Sequence, residues 1–213
     1  MDYKYKYIKY KKKYIEFKKE YANLKGGAKK KSTKKSKIIT LVSGNENKIK
    51  EFQQILGFKL KTIDIDLPEI QSTDVKEVAR EKLKEAMKHI QGPCIIDDSG
   101  LHIDKLNGFP GALIKFYHKK LKNDGIVKHC GGSKAQAVSV IGYFDGKKEF
   151  LFEGKTKGTI PDEPLGEGFG WDPIFVPEGS ELSYAQLSSE EKNKISQRRL
   201  AIEKLKEHLK KEK

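Results

Sequence analysis

Cysteine is nearly missing from this chain. Its two cysteines, Cys94 and Cys130, form no Cys-x-x-Cys pair and sit in no cluster of metal ligands. That usage argues against a disulfide-stapled secreted scaffold and predicts a reduced, intracellular protein, with the cytoplasm as its expected location. Long apolar runs are missing too: nothing approaches the ~18 residues of a membrane span. The N-terminus is positive but has no apolar core segment, so it is no secretory signal. Tryptophan occurs once, at Trp171.

What the chain has in excess is lysine, and the excess is local. The formal net charge is +14 over 213 residues. Residues 1–37 hold 15 Lys against three acids, whereas residues 38–213 hold 29 Lys and Arg against 27 acids. The chain therefore divides into a basic leader, 1–37, and a near-neutral body, 38–213, long enough for one domain with its own core. In the leader, Tyr3, Tyr7, Tyr10, Tyr14, Phe17, Tyr21 and Leu24 follow a 4-3-4-3-4-3 spacing. That is a heptad stripe among lysines, and it predicts an aromatic-striped basic helix. "GGAKKKSTKKSK", from Gly26 to Lys37, reads as a linker. Such a helix is unstable alone, because its lysines repel and its apolar face is unpaired. A second copy, an anionic surface or nucleic acid are its expected partners.

The body alternates strand and helix patterns. "KIITLVS" is β-type, and a helix follows from about Asn47 to Leu56. A second β run spans about Phe58 to Ile65, and a helix about Val75 to Ile90. "PCIIDDSGLHID" reads as a short buried strand, Cys94 to Ile96, that ends in two carboxylates. "LNGFPGALIKFYHKKL" is a loop feeding a helix, and "AQAVSVIGYFDGKKEFLFEGKTKGTI" is a hairpin turning at Asp145-Gly146. "PDEPLGEGFGWDPIFVPEG" is a long structured loop of the kind that often carries function. A C-terminal amphipathic helix from about Gln197 carries Leu200, Leu205 and Leu209. Mixed elements with an antiparallel hairpin predict an α/β class with a mixed β-sheet.

Several short stretches are chemically suggestive, and each has an ordinary alternative. Gly44 in "LVSGNENK" permits a tight turn, and the following helix N-terminus with Lys48 suits an anion. It is not a Walker loop, since the Gly-Lys-Ser spacing is missing, and Asn45 is equally suited to cap the helix. Asp97 and Asp98 either form a solvated turn or hold a metal at the end of a strand. In a regular strand the two point to opposite faces. Glu69 and Lys82 read alone as a loop acid and a solvated helix lysine. Lys115 stands among Phe109, Ile114 and Phe116. Phe169, Gly170, Trp171 and Asp172 either admit a flat ligand or cover a core. Ser196 is a candidate N-cap beside a charge run of Lys192, Arg198 and Arg199.

Taken in order, "SGNENK", "PE", "GPCIIDDSGL", "NGFPG", "FGWDP" and "EKNKISQR" resemble the inosine triphosphate pyrophosphatase family, over about Lys37 to Leu209. The resemblance implies an elongated, two-lobed α/β fold with a curved mixed sheet and a central cleft. It implies hydrolysis of non-canonical purine nucleoside triphosphates to monophosphate and pyrophosphate, Mg²⁺ as cofactor, and a homodimer. On this sequence the phosphate-binding turn falls on Ser43, Gly44, Asn45 and Lys48. The magnesium acids fall on Glu69 and Asp98, with Asp98 the general base and Ser99 a substrate contact beside it. Substrate-contacting lysines fall on Lys82 and Lys115. The base pocket falls on Phe169, Gly170, Trp171 and Asp172, and the last recognition segment on Lys192, Gln197 and Arg198. One position departs: the family's Ser-His-Arg is Ser196-Gln197-Arg198 here. Glutamine keeps donor and acceptor capacity but carries no charge. Two other readings stay open at this level, a catalytically inactive nucleotide-binding module and a nucleic-acid-associated protein.

Overall fold

The computed structural model describes residues 38–211. The leader, with its heptad stripe and linker, lies outside the described residues. In chain order the elements are β1 (Thr40–Val42), α1 (Glu46–Leu56), β2 (Lys61–Ile63), α2 (Val75–His89), β3 (Cys94–Ile103), β4 (Pro110–Gly111), α3 (Ile114–Cys130), β5 (Lys134–Phe144), β6 (Glu149–Thr159), β7 (Val176–Pro177), α4 (Ser189–Ile195) and α5 (Gln197–Lys211).

Among the described residues seven strands make one mixed sheet in the order β2-β1-β3-β5-β6-β7, with β4 beside β3. β1 pairs parallel with β2 and β3; every other pairing is antiparallel. The α/β mixed sheet is therefore as the sequence predicts. The hairpin is too: Asp145 N–H bonds Lys148 O at 3.1 Å between the two eleven-residue strands β5 and β6.

Side-chain alternation sorts the core into three clusters. Cys94 and Ile96 of β3, with Val138 and Val140 of β5, face α2 and pack on Ala79, Leu83 and Ala86. On the opposite face Ile95, Ile141 and Tyr143 pack on Phe52 and Ile55 of α1 and on Ala201, Ile202 and Leu205 of α5. Farther along that second face Leu101, Ile103, Ala135 and Ala137 pack on Ile126, Phe175 and Tyr184. A fully buried Leu such as Leu83 contributes about 1.5–3 kcal/mol. On that face the run Ile95-Asp97-Ser99-Leu101 places polar groups between the two clusters, matched on β5 by Ser139 between Ile141 and Ala137. The seam divides the apolar face in two.

The helices start and stop for local reasons. Asn45 Oδ1 accepts from the N–H groups of Asn47 and Lys48, and Gly57 closes α1 in the left-handed region. Asp74 caps α2 in the same way. Ser196 Oγ accepts from Arg199 N–H at 3.2 Å and starts α5, as expected. Leu200 differs from its expected place: at 41% exposure it faces outward, and Ala201 and Ile202 fill the inner positions. Three residues along a helix from Leu205, the inner stripe falls on Ile202, so Leu200 is off it. α3 is broken at Lys122, whose φ of 56° and ψ of −177° lie where only glycine is at ease. Holding a lysine there costs about 1–3 kcal/mol.

Candidate active site

β3 is longer than its sequence suggests. It does not stop at Ile96 but runs on through Asp97, Asp98, Ser99 and Gly100 to Ile103, because β5 pairs with it at ten consecutive positions. On its other side β1 reaches only Ile95, and β4 begins opposite Leu101. Between them β3 has an open edge. The acids occupy this gap rather than the end of a strand, and they point to opposite faces as strand geometry requires.

Asp97 faces α1 and α5. Its side chain is only 1% exposed, and it pairs with Lys48 Nζ at 2.8 Å and Arg198 Nε at 3.2 Å. Ser139 Oγ donates to it at 3.0 Å. Burial pushes this carboxyl up, but Arg198 and Lys48 outweigh burial and hold it below the ordinary value. Arg198 also donates from Nη1 to Glu51 and, at 3.0 Å, from Nη2 to Ser99 Oγ. Three of its five N–H groups are thus directed to protein acceptors. Burial would lower the guanidinium's pKa; Asp97 and Glu51 reverse that and raise it. Glu51 lies 3.7 Å from Lys192, which pairs with Asp172 at 2.6 Å. Burial raises the Asp172 carboxyl above its ordinary value despite that lysine.

Asp98 faces α2. Lys82 Nζ, from that helix, donates to Asp98 Oδ2 at 3.0 Å and to Glu69 Oε1 at 2.5 Å. Ser99 N–H donates to Asp98 Oδ1 at 2.9 Å. One ammonium touching both acids shows that Glu69 and Asp98 are close enough to share a single cation. Burial alone would push Glu69 up; Lys82, Lys115 and Lys48 outweigh it and lower the carboxyl. Burial would lower Lys82, but Asp98 and Glu69 raise it, so it stays an ammonium at neutral pH and is no base. Among the described residues no group of three or more His, Cys, Asp or Glu side chains is placed to hold a metal. Any ion here would rest on the two carboxylates.

The loop expected to form a base pocket is partly a core cover. Trp171 is half-buried, edge-on to Phe175 at 5.8 Å and tilted on Tyr184 at 6.4 Å. Phe169 is 56% exposed at the turn before it. Gln197 is buried and accepts from Tyr184 Oη at 3.1 Å. Lys115 is exposed at the start of α3, 6.0 Å from the Phe116 ring centre.

The structure thus gathers Lys48, Ser99 and Arg198 on one face of β3, with Lys192 and Asp172 joined through Glu51. It gathers Glu69, Lys82 and Asp98 on the other. Asn45 caps α1, and Ser43 Oγ accepts from Asn45 N–H at 3.2 Å. Gly44 is required less for a turn than for space: a Cβ there would lie 2.1 Å from Asp64 Oδ1. Arg199 leaves the charge cluster and pairs with Glu203 on α5. Sequence reasoning missed Glu51, Ser139 and Tyr184, and the ion pairs of Asp97 with Lys48 and Arg198. Glu51 was findable, since it stands three residues after Lys48 on one helix face. Ser139 was also findable, as a polar residue on the inward face of an apolar strand.

The site is thus an α/β sheet whose strand pairing changes from parallel to antiparallel at β3, with acids and cations paired along the open edge between β1 and β4. The chain belongs to the Ham1 family, whose model matches residues 39–208. It is 40% identical to the dITP/XTP pyrophosphatase of Methanopyrus kandleri over 177 residues, covering 79% of this chain and 94% of that one. It is also 40% identical to the inosine triphosphate pyrophosphatase of Kluyveromyces lactis over 185 residues, covering 80% and 95%. The solved HAM1 protein of Coxiella burnetii superposes with a TM-score of 0.69 at 30% identity, covering 81% of this chain and 98% of that one. The Staphylococcus aureus Ham1 protein gives 0.65 at 33% identity, covering 82% and 100%.

Proposed function

We propose that this chain is a nucleoside triphosphate pyrophosphatase acting on non-canonical purine nucleotides, ITP, dITP and XTP. It would convert triphosphate and water to monophosphate and pyrophosphate. The names of its relatives support the substrate class. The observation that carries the chemistry is Lys82 held between Glu69 and Asp98 at the open edge of β3.

Glu69 and Asp98 are the residues that would hold Mg²⁺, a hard cation usually bound through one or two carboxylates plus waters and substrate phosphates. Bound there, it would supply charge neutralisation and orientation for the triphosphate oxygens. In this reading Asp98, which accepts from Ser99 N–H and Lys82, takes a proton from the attacking water. Lys82, Lys48 and Lys115 neutralise charge on the departing pyrophosphate. Phe169 offers an exposed ring for stacking on the purine.

Base selectivity follows from donor and acceptor order. Hypoxanthine and xanthine present an O6 acceptor and an N1–H donor, and adenine reverses both. Arg198, with N–H groups beyond the three committed ones, is the proposed O6 donor; a backbone or carboxylate acceptor would meet N1–H. Each buried mispaired group costs about 1–3 kcal/mol, so two would reject ATP by a factor of about 10²–10⁴. The same reading carries a homodimer and a cytoplasmic setting, the latter supported by the cysteine usage. Contact of the leader with nucleic acid or an anionic surface is supported by its charge.

The test is pyrophosphate release from ITP, XTP, dITP, GTP and ATP with Mg²⁺. The expected outcome is turnover of the first three well above ATP. Equal rates for ITP and ATP would overturn the selectivity, and no release from any of them would overturn the function.

A further inference from the structure

Helix α3 relates to both parts of the proposed site. Its first turn carries Lys115, whose charge acts on Glu69. Its kink at Lys122 is held in a conformation that lysine disfavours, with φ of 56° and ψ of −177°. Strain at a sequence-local position calls for something the strained shape achieves, and here it aims the next residue. Asn123 Nδ2 donates to Gly170 O at 3.3 Å, across 47 residues of chain. Asn123 Oδ1 lies 3.0 Å from His118 Nε2. An amide oxygen only accepts, so His118 Nε2 must carry the proton. That fixes the amide's orientation and leaves Nδ2 facing the Gly170 carbonyl.

Gly170 is at the tip of the turn that presents the base-side loop. Asp172 N–H closes the turn on Phe169 O at 3.1 Å, and Gly170 has a φ of 62°. The exposed Phe169 ring and half-buried Trp171 flank the carbonyl that Asn123 holds. We propose that Asn123, oriented by His118, is a positioning residue that latches the Phe169–Asp172 loop to the kink of α3 and so sets the base-side wall at a fixed distance from Lys115. The inference rests on the reading of that loop as the base pocket. It adds two residues which neither the family motifs nor the charge clusters single out.

The single tryptophan makes the latch observable without turnover, since Trp171 lies inside the latched loop. In the full-length protein Asn123→Asp keeps the side chain's shape and puts an acceptor against the Gly170 carbonyl. Its Trp171 emission should shift to the red and become more accessible to acrylamide. The KM for ITP should rise about fivefold, the factor a single lost hydrogen bond supports, with kcat within about twofold. His118→Ala should do the same. His118→Gln, whose amide can occupy the Nε2 position and donate, should restore both emission and KM. If Asn123→Asp leaves Trp171 emission and quenching unchanged, the latch is overturned, whatever KM does. If the emission shifts but the wild-type protein turns over none of the triphosphates, the latch stands and the pyrophosphatase reading fails.

Discussion

Asp97 and Asp98 are adjacent in the chain and face opposite sides of β3. Asp97 is a buried counter-ion for Lys48 and Arg198; Asp98 pairs with Lys82, which also binds Glu69. Asp97→Asn should therefore cost stability, by about 3–5 kcal/mol, because it strands buried charge. A urea denaturation midpoint near wild type would contradict the pairing. The lowered Asp97 carboxyl also has a definite pH signature. Its contribution is fully present above its ordinary value of 3.8 and is lost as pH falls through the lower folded value. Wild-type stability, followed by urea melts from about pH 5 to pH 2, should fall more steeply than that of Asp97→Asn. Parallel curves would sink this assignment. At this scale the alternation of the acids was legible, since period two is a property of any strand. The partners were not: Ser139 and Arg198 stand 42 and 101 residues away, and no local pattern links them to Asp97.

Elements capped by their own residues were the legible ones. Asn45 and Asp74 mark the starts of α1 and α2, and Asp145-Gly146 marks the hairpin. β3 was misjudged because its continuation past two acids depends on β5, about forty residues later. The α3 break was illegible, since neither proline nor glycine stands at 122. It yields a prediction: Lys122→Gly relieves a strain of about 1–3 kcal/mol and adds about 0.5–1 kcal/mol of chain entropy cost. Stability by denaturant melt should stay equal or rise by up to about 2 kcal/mol, and a clear loss would mean the lysine makes compensating contacts. Gly154 tests the opposite case. A Cβ there would stand 2.0 Å from Gln197 O and 2.6 Å from Ala201 N, both on α5. Gly154→Ala should push α5 off β6 and reduce stability by about 1–3 kcal/mol, with activity falling alongside because α5 carries Gln197 and Arg198. Unchanged melting and turnover would show that β6 yields more easily than this packing suggests.

At the scale of the whole molecule, the body is built around an open strand edge, with the Asp97–Lys48–Arg198–Glu51 ion pairs on one face and the Glu69–Lys82–Asp98 pairs on the other. Its membership of the Ham1 family was legible because the motifs occur in order along nearly the whole body. The proposed site residues all belong to 38–213, and the Gly26–Lys37 stretch reads as a linker, so deleting residues 1–37 should leave the ITP rate unchanged within about twofold while removing salt-sensitive binding to nucleic acid or anionic vesicles. A large loss of turnover would mean that the leader belongs to the active body. The account's central claim is that the Glu69–Lys82–Asp98 centre splits a triphosphate into monophosphate and pyrophosphate. It is tested most directly by following ITP and Mg²⁺ by phosphorus NMR with the wild-type protein and with folded Asp98→Asn. The account predicts that IMP and pyrophosphate grow in equal amounts with the wild type and that neither grows with the variant. Release of IDP and inorganic phosphate, or undiminished turnover by Asp98→Asn, would contradict it.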